Sequence, residues 1–104
     1  MNKLKASYQN DLPAYKDVIC QLKVELNGYL PEIDRLLHLE KFAELRQIAH
    51  TIRNIAGALG DTKLKIIAGF WEELSFERKT SSINEFEQAI HETIRNIDDD
   101  LVRL

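Results

Sequence analysis

Residues 42–61 read FAELRQIAHTIRNIAGALGD, and this stretch decides the fold. Its apolar side chains recur at intervals of three and four, which is the spacing of one face of an α-helix. That stripe consists of Phe42, Leu45, Ala49, Ile52, Ala56 and Leu59. We predict a helix from about Glu40 to Leu59. Gly60 suits the left-handed residue that ends such a helix, and Asp61 suits the N-cap of the next one.

The same periodicity covers the chain upstream of this helix. An apolar stripe runs from Leu12 to Leu37, and it contains Gly28 and Pro31. Proline removes an intrahelical hydrogen bond and clashes with the preceding turn. We therefore expect either one kinked helix or two helices that meet near residues 28–31.

Two more helices are predicted downstream. The stripe of the first consists of Leu64, Ile67, Trp71 and Leu74, flanked by Ile66 and Phe70. We expect Phe70 and Trp71 to be core or partly buried, and the helix to fade near residues 77–79. Ser82 and Glu85 have the spacing of a capping box, which predicts that the last helix begins at Ser82.

Taken together, these patterns predict an all-α fold in one domain of 104 residues. Short connections favour antiparallel neighbours, so we expect an antiparallel up-down four-helix bundle over residues 12–104. Residues 1–11 form a short extra segment at the N-terminus, which we expect to cover one end of the bundle.

Composition narrows the classes of function. The net charge is −3 with both signs interspersed, which disfavours a nucleic-acid binder that needs clustered cations. Cys20 is the single cysteine, and the histidines and cysteine show no metal-ligand spacing. A secretory signal, a membrane-spanning apolar run and a nucleotide-binding glycine motif are all lacking in the sequence. We expect a cytoplasmic protein with no cofactor, no bound metal and no membrane partner.

One group of residues points to chemistry. His50, Arg53, Asn54 and Gly57 lie at positions i, i+3, i+4 and i+7, which share one face of a helix. Imidazole offers a nucleophilic nitrogen near neutral pH, and an arginine can neutralise a moving phosphoryl group. Gly57 would leave room for a partner surface. The competing structural interpretation is a packed histidine, a solvated arginine and a glycine that serves close helix packing.

The histidine lies in a motif that resembles a known family. Residues 49–53 (AHTIR) and 57–60 (GALG) resemble the signature of histidine-containing phosphotransfer (HPt) domains. By this resemblance His50 occupies the phosphorylated position. Arg53 stands where the family usually has lysine, and Asn54 stands where it has glycine.

The resemblance implies a role in a two-component phosphorelay. Nε2 of His50 would attack the aspartyl phosphate of a response-regulator receiver domain, and the phosphohistidine would pass the group to a second receiver. The chain would be a monomeric phosphocarrier without kinase activity of its own, with receiver domains or a hybrid histidine kinase as partners. The Mg²⁺ would belong to the receiver. Arg53 would stabilise phosphoryl charge, and Asn54, Gly57 and Glu72 would face the partner or the histidine.

Several alternatives stay open at this point. Asn54 beside the imidazole is compatible with an HPt-like module that binds a receiver or kinase and regulates it without transfer. A structural adaptor with an incidental His50 is a third class, and Glu72 taken alone is an ordinary surface acid. His91 begins a box like that of dimeric histidine kinases, but the required proline is absent, so we assign it to the polar face of the last helix. The acidic run at residues 98–100 is interpreted as solvated.

Overall fold

The computed structural model describes residues 3–104, and the backbone over this range is almost entirely helical without any strand. The five helices are α1 (Lys3–Ser7), α2 (Leu12–His38), α3 (Phe42–Leu59), α4 (Thr62–Glu73) and α5 (Phe76–Arg103). The predicted all-helical class is confirmed. The first two residues of the predicted N-terminal segment lie outside the described residues.

Helix α2 is a single continuous helix of 27 residues. It begins where Asp11 caps it, with the carboxylate accepting a hydrogen bond from the backbone N–H of Ala14 at 3.1 Å. The alternative of two helices meeting near residues 28–31 is wrong, because α2 continues through Pro31. Leu26 and Ile33 are fully buried on either side of the proline, and their burial in one core holds the helix together there.

Helix α3 begins two residues later than predicted and ends where predicted. Glu40 has a positive φ of 57°, which is incompatible with a helix, so the chain turns there and α3 starts at Phe42. Gly60 has φ 74° and ψ 21°, the left-handed conformation expected of the terminating residue. The left-handed backbone at Gly60 ends the helix, and glycine adopts this conformation without steric cost.

Asp61 joins α4 both to its own first turn and to α5. Its Oδ1 accepts the backbone N–H of Leu64 at 3.0 Å, so Asp61 is the predicted N-cap. Its Oδ2 accepts the hydroxyl of Thr93, a buried residue of α5. Both carboxylate oxygens are therefore used within the fold.

The predicted junction between the last two helices is wrong. Helix α4 ends at Glu73, and the extended residue Leu74 with Ser75 forms the connection to α5. Residue 82 lies inside α5, so it cannot be the start of a capping box. The hydroxyls of residues 80–82 donate instead to backbone carbonyls three or four residues earlier, which lets these residues continue a helix.

One apolar core joins the four longer helices. α3 packs closely against α4, α5 packs against both α2 and α4, and the short α1 lies against α3. The largest fully buried side chains are Trp71, Tyr15, Phe86, Ile19, Leu26, Ile33, Leu36, Leu45, Ile52, Leu64 and Ile90. Within residues 3–104, no helix has the length and hydrophobicity needed to cross a bilayer. The molecule is elongated, at 45 × 20 × 19 Å, and its long helices expose extended faces to solvent.

Candidate functional site

His50 lies near the middle of α3, at the border between the buried stripe and solvent. Ala49 beside it is fully buried, whereas 43% of the His50 side chain is accessible. The helical spacing predicted this position, because residue 50 falls just off the stripe that contains Ala49 and Ile52. The imidazole is therefore held by a packed helix and still open to an incoming group.

Glu72 of α4 orients the imidazole. Its Oε1 lies 3.1 Å from Nδ1 of His50, and only 10% of its side chain is accessible. A carboxylate accepts hydrogen bonds, so a hydrogen bond at this contact needs the proton on Nδ1, which would leave the lone pair on Nε2. Glu72 is thus largely buried and faces the histidine, unlike an ordinary surface acid, and its role toward a partner stays a prediction.

Arg53 completes the cluster from one turn further along α3. Its Nη2 lies 3.2 Å from Nδ1 of His50, and its Nη1 lies 3.4 Å from Oε2 of Glu72. Oε2 is buried and has no hydrogen-bond partner among residues 3–104. We call His50, Arg53 and Glu72 the His50 cluster. It contains one nucleophile, one cation and one carboxylate whose second oxygen is ion-paired with the cation but not hydrogen-bonded.

The end of α4 that carries Glu72 is fixed by a buried lysine. Nζ of Lys79 donates to the backbone carbonyl of Leu74 and lies 5.4 Å from the centre of the Trp71 ring. Burial and the neighbouring Arg46 guanidinium lower the pKa of Lys79. A cation at a helix C-terminus interacts favourably with the helix dipole, so Lys79 stabilises the turn on which Glu72 stands.

Asn54 and Gly57, which were both predicted for the face of α3 that carries His50, differ in exposure. Asn54 is exposed and lies beside His50 along the helix, as the spacing predicts. Gly57 is partly covered by Lys65 of α4, because a Cβ added at Gly57 would lie 3.9 Å from the Lys65 side chain. This distance is ordinary van der Waals contact with a flexible side chain, so an alanine would fit at residue 57.

The sequence interpretation missed an exposed apolar patch beside the cluster. Phe70 is 70% exposed, which corrects its assignment to the core, and Ile66 one turn earlier is also exposed. Gly69 brings this patch against α3, since a Cβ there would lie 3.4 Å from Cδ of Arg53. Ile66 and Phe70 are spaced as i and i+4 and lie off the buried stripe, and this spacing was the signal available in the sequence. Trp71 is buried, as predicted.

The other histidines, the cysteine and the acidic run near the C-terminus have no hydrogen bond or ion pair with His50, Arg53 or Glu72 among the described residues. His38, His91 and Cys20 are exposed. The acidic run at residues 98–100 is only partly solvated. Asp98 forms an ion pair with Lys23, and the carboxylate of Asp100 accepts a hydrogen bond from the Tyr15 hydroxyl at 2.8 Å. Across residues 3–104, His, Cys, Asp and Glu nowhere form a group of three or more suited to a metal ion.

Comparison with known proteins gives no relative for this chain. No protein-family model, no curated protein and no solved structure matches it. The resemblance to HPt domains therefore depends on the sequence itself, chiefly on the motif at residues 49–60.

Proposed function

We propose that this chain is a phosphorelay intermediate of the HPt kind. It accepts a phosphoryl group on His50 from the aspartate of a response-regulator receiver domain and passes the group to another receiver. It acts as a monomeric cytoplasmic phosphocarrier without kinase activity of its own. The proposal includes an antiparallel up-down arrangement of the four longer helices, within a single domain.

The contact between His50 and Glu72 carries this proposal. An accessible imidazole whose Nδ1 lies 3.1 Å from a largely buried carboxylate presents Nε2 to solvent as a nucleophile. Among residues 3–104, none forms a hydrogen bond to Nε2. A ring that only filled space between helices would be buried, whereas 43% of the His50 side chain is accessible.

Transfer on this geometry needs no proton to move. The Nε2 lone pair forms the N–P bond while the P–O bond to the donor aspartate breaks, and that electron pair stays on the aspartate carboxylate. The ring keeps its Nδ1 proton and gains positive charge, which Glu72 stabilises across the 3.1 Å contact. Arg53 lies close enough to neutralise charge on the phosphoryl oxygens.

The surface around His50 fits an acidic partner with an apolar contact. Phe70 and Ile66 provide exposed apolar area, and Arg53 and Lys65 add two cations beside it. Charge complementarity would therefore favour this face for docking a partner surface that carries acidic groups. Asn54 lies on the same side of α3 and would meet the partner directly.

One observation favours a second function on the same fold. Asn54 is exposed directly beside the imidazole, where a bulkier side chain than glycine narrows access to Nε2. The alternative is a module that binds a receiver or a hybrid kinase and regulates it without accepting phosphate. Binding without transfer distinguishes this alternative.

The test is phosphoryl uptake from a receiver. The full chain is incubated with ³²P-labelled receiver domains from the same organism, and acid-labile, base-stable label is followed. His50→Gln is compared with His91→Gln, which removes an exposed histidine of α5. We expect label on the wild type and on His91→Gln, and none on His50→Gln at unchanged helicity.

Three results would contradict the proposal. Label that persists on His50→Gln would place the acceptor elsewhere. Receiver binding without label on any folded variant would favour the regulatory module. Loss of helical circular dichroism in His50→Gln would show that His50 is a packing residue.

A further inference from the structure

Nδ1 of His50 lies near two groups that require opposite protonation states of it. Oε1 of Glu72, at 3.1 Å, only accepts, so that contact needs a proton on Nδ1. Nη2 of Arg53, at 3.2 Å, only donates, so that contact needs a bare Nδ1. Because a neutral imidazole carries one ring proton, it can satisfy only one of the two contacts at a time.

We propose that Glu72 and Arg53 hold two alternative tautomers of His50, and that Arg53 is thereby a positioning residue that restrains the nucleophile. When Glu72 accepts from Nδ1, Nε2 has a lone pair. When Arg53 donates to Nδ1, the proton is on Nε2, which then cannot attack phosphorus. The consequence for transfer rests on the proposed function, whereas the tautomer equilibrium itself does not.

Arg53 has a second place to bind when it leaves His50. Its Nη1 already lies 3.4 Å from Oε2 of Glu72, and that buried oxygen has no hydrogen-bond partner among residues 3–104. A shift of well under 1 Å would bring this pair to charge-assisted hydrogen-bond distance. The planar guanidinium reaches His50 and Glu72 with different nitrogens, which a lysine ammonium cannot do.

Phosphorylation would settle the competition in favour of Glu72. With Nε2 bonded to phosphorus and the proton retained on Nδ1, Arg53 has no acceptor left on the ring. It is then free to contact the phosphoryl oxygens or Oε2 of Glu72. The same arginine would restrain the unmodified histidine and stabilise the phosphorylated one.

The test measures tautomers in the unphosphorylated full chain. Long-range ¹H–¹⁵N spectra of ¹⁵N-histidine-labelled protein report which ring nitrogen carries the proton in the neutral imidazole, and the exposed His38 and His91 serve as internal references. Arg53→Met is compared with Lys65→Met, which removes a cation from the same face that, among residues 3–104, forms no hydrogen bond or ion pair with His50. We expect Arg53→Met to raise the ratio of Nδ1–H to Nε2–H about fivefold, the shift that one hydrogen bond produces, and Lys65→Met to leave it unchanged.

A second pair of variants tests the opposite direction. Glu72→Ala should lower the same ratio about fivefold, because it removes the acceptor for Nδ1–H. Glu73→Ala is its control, since Glu73 pairs with Arg46 at 3.1 Å and not with His50.

The outcomes separate this inference from the proposed function. A folded Arg53→Met whose ratio stays within twofold of the wild type would overturn the inference even if His50 accepts phosphate. A ratio that moves as expected in both variant pairs would support it even if no receiver labels the chain.

Discussion

Two polar clusters border α4, and they differ in what they leave unused. Asp61, at the start of the helix, uses one carboxylate oxygen for Leu64 and the other for Thr93. Glu72, near its end, contacts His50 through one oxygen, while the other is buried without a hydrogen bond among residues 3–104. A carboxylate whose oxygens are both hydrogen-bonded within the fold stabilises the structure, whereas Glu72, whose second oxygen has only the 3.4 Å ion-pair contact with Arg53, can still gain a hydrogen bond.

The largest expected effect on stability concerns Asp61, whose two carboxylate oxygens are both hydrogen-bonded within the fold. Asp61→Ala removes the cap of α4 and the acceptor of the Thr93 hydroxyl, so the free energy of unfolding should fall by about 2 kcal/mol. Urea unfolding followed by circular dichroism measures it. Asp61→Asn keeps a capping oxygen and should lose less. A loss below about 0.5 kcal/mol for the alanine variant would mean that the cluster is not structural.

A pair of glycine substitutions compares the left-handed residue before Asp61 with a glycine inside a helix. Gly60→Ala places a Cβ on a left-handed residue and should lower the free energy of unfolding by about 1 kcal/mol. Gly28→Ala adds a methyl in open space inside α2 and should raise it by up to about 1 kcal/mol. Thermal unfolding of both variants measures the two changes in the free energy of unfolding. Changes of the same sign would contradict this prediction.

A third polar contact, between Glu87 and Asp34, is expected to destabilise the folded state near neutral pH. Burial, followed by the hydrogen bond to Asp34, raises the pKa of Glu87 to about 7. Between the unfolded pKa near 4.5 and pH 7 the folded state holds more protons, so stability should fall as pH rises through this window. With allowance for solvent screening, the loss is about 1 kcal/mol.

Glu87→Gln isolates this contribution from the histidines that titrate in the same range. Urea midpoints of wild type and variant, compared at pH 4.5 and pH 7.5, should diverge as pH rises, with the variant the more stable at pH 7.5. A constant difference between the two proteins would show that Glu87 titrates normally.

The smallest expected effect on stability concerns the exposed patch. Phe70→Ser should change the free energy of unfolding by less than about 0.5 kcal/mol, because the side chain is 70% exposed. If the proposed function holds, the same variant should weaken binding to a receiver domain about tenfold, as the loss of an aromatic anchor does. Val24→Ser removes an equally exposed residue, at 72%, from α2 and should leave binding unchanged. Isothermal titration calorimetry measures both, and equal losses would place the docking face elsewhere.

The elements that the sequence predicted well are those decided by local chemistry. α3, the left-handed Gly60 and the capping Asp61 depend on residues within one or two turns of each other. The start of α5 was missed because hydroxyls that favour a cap can also bond to a carbonyl within the helix, and the local pattern does not choose between these.

The site was predictable only in part, and for a related reason. Helical spacing placed His50, Arg53 and Asn54 on one face without reference to the rest of the fold. The contact of His50 with Glu72 joins residues 22 positions apart and depends on how α3 packs on α4, which periodicity does not specify. The exposure of Phe70 was likewise a matter of packing.

The single tryptophan of this chain gives the molecule a built-in optical probe. Trp71 precedes Glu72, is almost completely buried, and its indole N–H has no hydrogen-bond partner among residues 3–104. An indole in such surroundings emits at shorter wavelength than one in water, and a nearby change of charge shifts its emission. Unlabelled protein would thus report by fluorescence on both unfolding and events at the neighbouring histidine.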